Sequence, residues 1–272
     1  MGMLDSSNPV LARDDSFNEF YGQAAGTVRD NVTTMQGICN KTALLVGIAV
    51  VTGAGGYALH GMMPGLAWGA SIVGLLVSFG IGMFLMGNPA KAKIVGPIYA
   101  IAQGVFLGAL TGSLDGVLVK MGITVPHLAL QAFVITIGIL MAMLGLYKAR
   151  ILQPTKKFVA VVSTMMAGIG IIYLISFVLM LFGTSLPFVS LGSAFEGGTS
   201  AWIGVGINVL FLGVAALGLI IDFGLIEEKV SQGAPKDMEW YCSFALIVSL
   251  AWIYFEALKL SFRLAIMLSG RD

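Results

Sequence analysis

Charged residues in this chain fall in clusters, and the neutral stretches between them are long enough to cross a membrane. Each crossing of a ~30 Å hydrocarbon core takes about 20 mainly apolar residues, so crossings can be counted directly. Residues 42–90 contain no Asp, Glu, Lys or Arg, but the break His60-Gly-Met-Met-Pro64-Gly65 divides them into two predicted helices, near 42–59 and 66–86. Residues 94–114 form the third and residues 128–147 the fourth. The fifth, residues 158–182, is ended by Gly183-Thr-Ser-Leu-Pro187, a turn-rich run that helices avoid. Trp202 opens the sixth as an interfacial anchor, which runs to about Ile226, and the seventh lies between Trp240 and Leu268.

Composition agrees with that pattern. With 57% hydrophobic and 11% charged residues the chain lies far outside the range of soluble domains. The expected fold class is an all-α integral membrane protein of seven transmembrane helices, residues 41–272, preceded by a polar cytoplasmic arm, residues 1–40. A net charge of +1 gives no reason to expect a nucleic-acid partner; the lipid bilayer is the expected one.

Seven crossings place the two chain ends on opposite sides, and the positive-inside bias chooses between them. With the N-terminus inside, the cytoplasmic segments hold Arg13, Arg29, Lys41, Lys91, Lys93, Lys148, Arg150, Lys156, Lys157, Lys229 and Lys236, against Lys120, Lys259, Arg263 and Arg271 elsewhere. The stretch DSSNPVLARDDSFNEF lacks the basic segment and apolar core of a cleavable secretory signal, so the first span serves for insertion. Phe17, Phe20 and Tyr21 give the arm weak amphipathic character, and a surface-lying or disordered tail is expected of it. The expected location is a membrane, with the N-terminus on its cytoplasmic side.

Motifs for enzyme chemistry are absent from the sequence: it has no Cys-x-x-Cys, no His-Glu-x-x-His, no Walker-type loop and no Gly-x-Ser-x-Gly. An enzyme is therefore not expected, nor a cofactor; an intramembrane hydrolase built on acids would lack a third catalytic group. Cys39 and Cys242 fall near cytoplasmic ends of spans, where thiols stay reduced. His60 and His127 fall on outer loops with no carboxylate nearby in sequence, and read as ordinary interfacial histidines.

The 36 glycines read as packing devices. Gly104, Gly108 and Gly112 recur every four residues on one face of the third span, which lets a neighbouring backbone approach. Gly204, Gly206, Gly213 and Gly218 continue the theme in the sixth.

Two acids remain where a bilayer interior tolerates neither: Asp222 in LGLIIDFGLI and Glu256 in AWIYFEALKL. Each costs about 2.5–3.5 kcal/mol at a helix centre on insertion scales, so both must be paired, hydrated or protonated. Positions 4, 7 and 14 residues before Asp222 lie within about 40° of it on a helix, and these are Gly218, Ala215 and Asn208. On the seventh span Ser249, Glu256, Lys259 and Arg263 share one side. Two polar stripes on consecutive helices are expected to face each other or a shared wet cavity.

GLIIDFGLIEEKV followed by EWYCSFALIVSLAWIYFEALKLSF resembles the closing helices of the transmembrane Bax inhibitor motif (Bax inhibitor-1) family. SSNPVLAR, TTMQGICNKTALL and PIYAIAQGVFLGAL extend the resemblance toward its bacterial branch and over nearly the whole chain. It implies seven helices with the last one central, and a pH-responsive calcium leak in which Asp222 and Glu256 are the gate or a weak, transient calcium site. The residues themselves add Asn208, Ser249, Lys259 and Arg263 as expected supporting groups, with calcium as the expected transported ion and, from the bacterial resemblance, the bacterial cytoplasmic (inner) membrane as the expected location. Some relatives instead regulate a membrane protease or another membrane-protein partner, the alternative function. Glu256 stands where the family usually has aspartate, and Lys259 where it commonly has an uncharged amide. Met86-Gly87-Asn88-Pro89 occupies the region where some members carry basic latch residues, leaving Lys91 and Lys93 nearby.

Two outcomes stay open at the acids. A hairpin turning near Ala234 offsets them by ~15 Å at 1.5 Å per residue, unless residues 236–243, with Trp240 and Tyr241, lie along the interface before the last helix turns inward, which they are expected to do at least in part. If so, the carboxylates meet within about 4 Å, repel by ~4 kcal/mol at an effective dielectric near 20, and share a proton. Otherwise Lys259 neutralises Glu256 locally and no pH switch follows.

Overall fold

The computed structural model describes residues 32–123, 127–186 and 188–269. Among these, seven helices are long and apolar enough to cross a membrane, in agreement with the count from charge clusters. They are α1 (Met35–Met62), α2 (Pro64–Gly87), α3 (Ala92–Lys120), α4 (Leu128–Lys148), α5 (Lys156–Leu181), α6 (Gly198–Ser231) and α7 (Met238–Ser269). The chain is an all-α membrane protein. The proposed arm, with Phe17, Phe20 and Tyr21, lies outside the described residues up to residue 31.

Local chemistry sets the helix ends. Thr34 caps α1 by accepting from the Gly37 amide, and Thr155 caps α5 by accepting from Phe158. Between α1 and α2 only Met63 intervenes, and Pro64 follows as the first residue of α2, where its missing N–H costs nothing. The third span runs past Leu114 to Lys120, which brings Asp115 inside the helix.

The last helix is central. In the most apolar window of both α6 and α7, 72% of residues are buried, against 11% in α1, whose remaining faces are left for lipid. The chain packs α6, α4, α1 and α3 around α7, while α5 lies on α6. Side chains such as Phe79, Phe182 and Met62 form part of the exposed apolar surface.

Glycine explains how α1 reaches α3. A Cβ at Gly56 would lie 2.8 Å from the Val105 carbonyl oxygen, and one at Gly112 would lie 2.8 Å from that of Tyr57. At Gly104 and Gly108 an added Cβ would run into Thr52 and the Gly53 carbonyl. The expected packing stripe is therefore the seam between two helix backbones. On α6 the theme holds only in part: Gly204 and Gly218 are covered by neighbours, but Gly206 and Gly213 face open space.

At one end of the bundle a polar clip ties the head of α1 to the α6–α7 turn. Val32 bridges Pro235, Thr33 N–H donates to the Ala234 carbonyl at 2.7 Å, and the Thr34 amide and hydroxyl both donate to Glu239 at 3.0 Å. Lys41 closes an ion pair with the same buried carboxylate, and Ser243 donates to the Ile38 carbonyl at 2.9 Å.

Residues 236–243 accordingly do not lie along an interface. From Met238 they are the first turns of α7, with Met238, Glu239, Tyr241 and Cys242 all buried. Glu239 belongs inside because its charge is met by Lys41 and its other oxygen by Thr34.

Candidate functional site

Because α7 starts directly after a short turn, α6 and α7 run past each other without the shift that would level their acids. Asp222 meets Ser249, whose hydroxyl donates to Oδ2 at 2.5 Å. Glu256 sits seven residues further along α7, about 10 Å at 1.5 Å per residue, and is met by Asn208 instead. Glu256 is met by Asn208, Lys259, Tyr173 and Trp252, while Ser249 beside Asp222 stands two turns away on α7, so the two acids sit at different levels of the helix pair. The offset inherent in a straight hairpin wins.

The polar stripes do face each other as expected. Asn208 Nδ2 donates to Glu256 Oε2 at 2.7 Å and to the Glu256 carbonyl at 3.1 Å. Lys259 Nζ donates to the same Oε2 at 3.1 Å, which is the local ion pair read from the sequence. Oε1 takes the Tyr173 hydroxyl of α5 and the Trp252 indole N–H at 3.2 Å. A carboxylate has about four acceptor sites, and all four are used here. Lys259 in turn donates to the Tyr173 oxygen at 2.5 Å and lies over the Tyr173 and Phe255 rings at 4.8 and 5.0 Å from their centroids. A buried charge without such partners would be untenable.

Further along α7, Arg263 reaches away from Glu256 to the connection between α5 and α6. It donates to Ser193 Oγ at 2.7 Å and to the carbonyls of Phe188, Val189 and Ser190 at 2.9, 3.4 and 2.7 Å. The residues expected from the sequence, Asp222, Glu256, Asn208, Ser249, Lys259 and Arg263, are distributed by the fold over three levels of one helix pair.

Tyr173, Trp252 and the Lys41–Glu239 pair were not singled out in the sequence. Trp252 was legible as the residue one turn before Glu256 on the same face; Tyr173 sits in an apolar run with nothing local to mark it. Lys91 and Lys93, the basic residues nearest the expected latch region, are exposed.

A second polar group lies on the other side of α7. The Tyr57 hydroxyl donates to Asp115 at 2.6 Å, and both line a cavity of about 440 Å³ with His60 and His127. The fold therefore supplies the carboxylate that was missing from the sequence neighbourhood of the histidines. Among the described residues no three His, Cys, Asp or Glu side chains come together to hold a metal. Cys39 and Cys242 are free thiols.

Comparison with known proteins returns no matching curated protein and no matching solved structure. The family described as Bax inhibitor 1 like matches residues 8–266, essentially the whole chain, so this seven-helix membrane protein belongs to the Bax inhibitor 1 like family.

Proposed function

We propose that the protein is a cation leak of the membrane, with calcium as the transported ion and Asp222 and Glu256 as successive stations on its route; the pH switch expected of a close acid pair is not part of it, because Lys259 neutralises Glu256. The observation that carries this reading is the polar stripe of α7, in which Ser249, Glu256, Lys259 and Arg263 are buried in the most enclosed helix of a membrane protein. Ionisable groups at that depth are functional by default. Calcium takes several hard oxygen ligands, and single carboxylates helped by Asn208, Ser249, carbonyls or water bind it weakly. Weak binding at several places suits conduction, because an ion must leave as readily as it enters.

On this reading the present arrangement is a closed state. Glu256 is occupied by Lys259, Tyr173, Asn208 and Trp252, so a cation gains access only when that set opens. The Lys- and Arg-rich connections favour an orientation with the N-terminus and the α6–α7 turn on the cytoplasmic side of a bacterial inner membrane. Calcium flux into liposomes reconstituted with wild type, Asp222→Asn and Glu256→Gln tests the proposal. Each substitution is expected to change the flux, and identical rates in all three overturn it.

A second reading is a non-conducting regulator that binds a membrane protease or another membrane protein. The complete internal neutralisation of Glu256 favours it, since a fully satisfied ion pair also serves as a structural pin. Liposomes without any protein-dependent flux, together with a co-purifying partner lost on deletion of residues 1–31, support this alternative.

A further inference from the structure

We infer that Arg263 is the stopper of the Glu256 station at the end of the bundle away from the α6–α7 turn. It is a fixed buried positive charge that clamps residues 188–193 across that end. The inference rests on the leak reading and adds to it the group that holds the route shut on that side.

Arg263 is 1% exposed, and every partner it has is neutral: one hydroxyl and three backbone carbonyls. Among the described residues no carboxylate lies within ion-pair distance, and its Nε is buried with no hydrogen-bond partner. A buried guanidinium is usually matched by an anion. Here carbonyl dipoles solvate the charge but do not cancel it.

Its position gives that charge a consequence. Ser249, Glu256 and Arg263 follow at seven-residue intervals, so they share one face of α7, with Arg263 about 10 Å beyond Glu256. Lys259 is buried between them, so this half of the helix holds two cations against one carboxylate. A cation approaching Glu256 from this end meets the residue 188–193 connection first and then a positive charge in a low-dielectric setting, the arrangement by which pores exclude cations.

The surroundings are shaped for the clamp. A Cβ at Gly204 would stand 2.8 Å from Ser193 Oγ and 3.1 Å from Arg263 Cζ, so only glycine leaves room for the guanidinium. Phe188, whose carbonyl accepts from Arg263, holds a φ of 68°. Bulky residues avoid that region unless the surroundings impose it.

The test is calcium flux in liposomes containing folded, monodisperse wild type, Arg263→Gln, Arg263→Lys and Glu256→Gln. Removing the charge in Arg263→Gln is expected to raise flux by roughly tenfold or more, the order that loss of a nearby unit charge gives in a screened interior. Arg263→Lys keeps the charge but not the fork, and a smaller rise is expected. Arg263→Gln at or below wild type, or Arg263→Lys equal to it, overturns the stopper. A wild-type flux that responds to Glu256→Gln but not to Arg263→Gln removes this inference and leaves the leak reading standing; flux absent from every vesicle removes both. Labelling of Ser190→Cys in a Cys39→Ser background by a membrane-impermeant maleimide reads the clamp separately. Faster labelling with Arg263→Gln supports it, and an unchanged rate contradicts it.

Discussion

Lys259 Nζ stands 3.1 Å from Glu256 Oε2, one turn further along α7, and the two side chains are 6% and 0% exposed. That pairing changes what the acids of α6 and α7 are expected to do, because a carboxylate already compensated within its own helix has no need of a proton shared with Asp222. Breaking a buried pair from one side costs about 3–5 kcal/mol, mostly from the charge left behind. Lys259→Met is therefore expected to destabilise the protein by about that much. The double variant Glu256→Gln with Lys259→Met is expected to lose less, since it strands no charge. Unfolding in detergent measures both, and a double variant less stable than Lys259→Met contradicts the pairing.

Tyr173→Phe keeps the ring but deletes the hydroxyl that donates to Glu256 and accepts from Lys259. Hydrogen bonds to charged groups contribute about 1.5–3 kcal/mol, against about 0.5–1.5 for neutral ones. Tyr254→Phe loses only a neutral contact with Thr111 at 3.1 Å. Thermal melts are expected to rank Tyr173→Phe as the more damaging, and the reverse order would count against the Glu256 network.

At the α1–α3 seam, Gly108→Ala pushes a methyl group into the Gly53 carbonyl, and overpacking of this kind costs about 1–3 kcal/mol. Gly206 has open space where its Cβ would go, so Gly206→Ala is expected to be neutral or to gain up to about 1 kcal/mol of helix propensity. Equal melting temperatures for the two variants would mean that the helices do not approach as described.

Glu239 gathers Thr34 and Lys41 onto the start of α7. Glu239→Gln removes the charge that binds Lys41 while keeping the side chain's size. Hydrogen exchange of the amides in residues 34–41 is expected to quicken, with α6 and the remainder of α7 unchanged. Unaltered protection there would show that the clip does not hold the head of α1.

Much of this was legible in the sequence, for identifiable reasons. Charge clusters fixed the seven spans because a charge in lipid is costly at every position, so the signal is additive along the chain. Helical periodicity found Asn208, Ser249, Lys259 and Arg263 because side chains on one face repeat at fixed angles. Periodicity says nothing about which turn of one helix stands opposite which turn of another. That register placed Asp222 against Ser249 and separated it from Glu256. Tyr173 and Asp115 were missed for the same reason: each acquires its role from a partner on another helix. Gly206 and Gly213 carry the same local signal as Gly204 and Gly218, and only tertiary contact tells them apart.

The central claim is that the carboxylate of Glu256 controls a cation route, and calcium flux into liposomes containing wild type, Glu256→Asp or Glu256→Gln tests it most directly. Wild type is expected to carry a calcium flux that Glu256→Gln changes, while Glu256→Asp, which keeps the carboxylate, stays nearer to wild type. Equal rates for wild type and Glu256→Gln, or no flux from any of the three, would contradict the account.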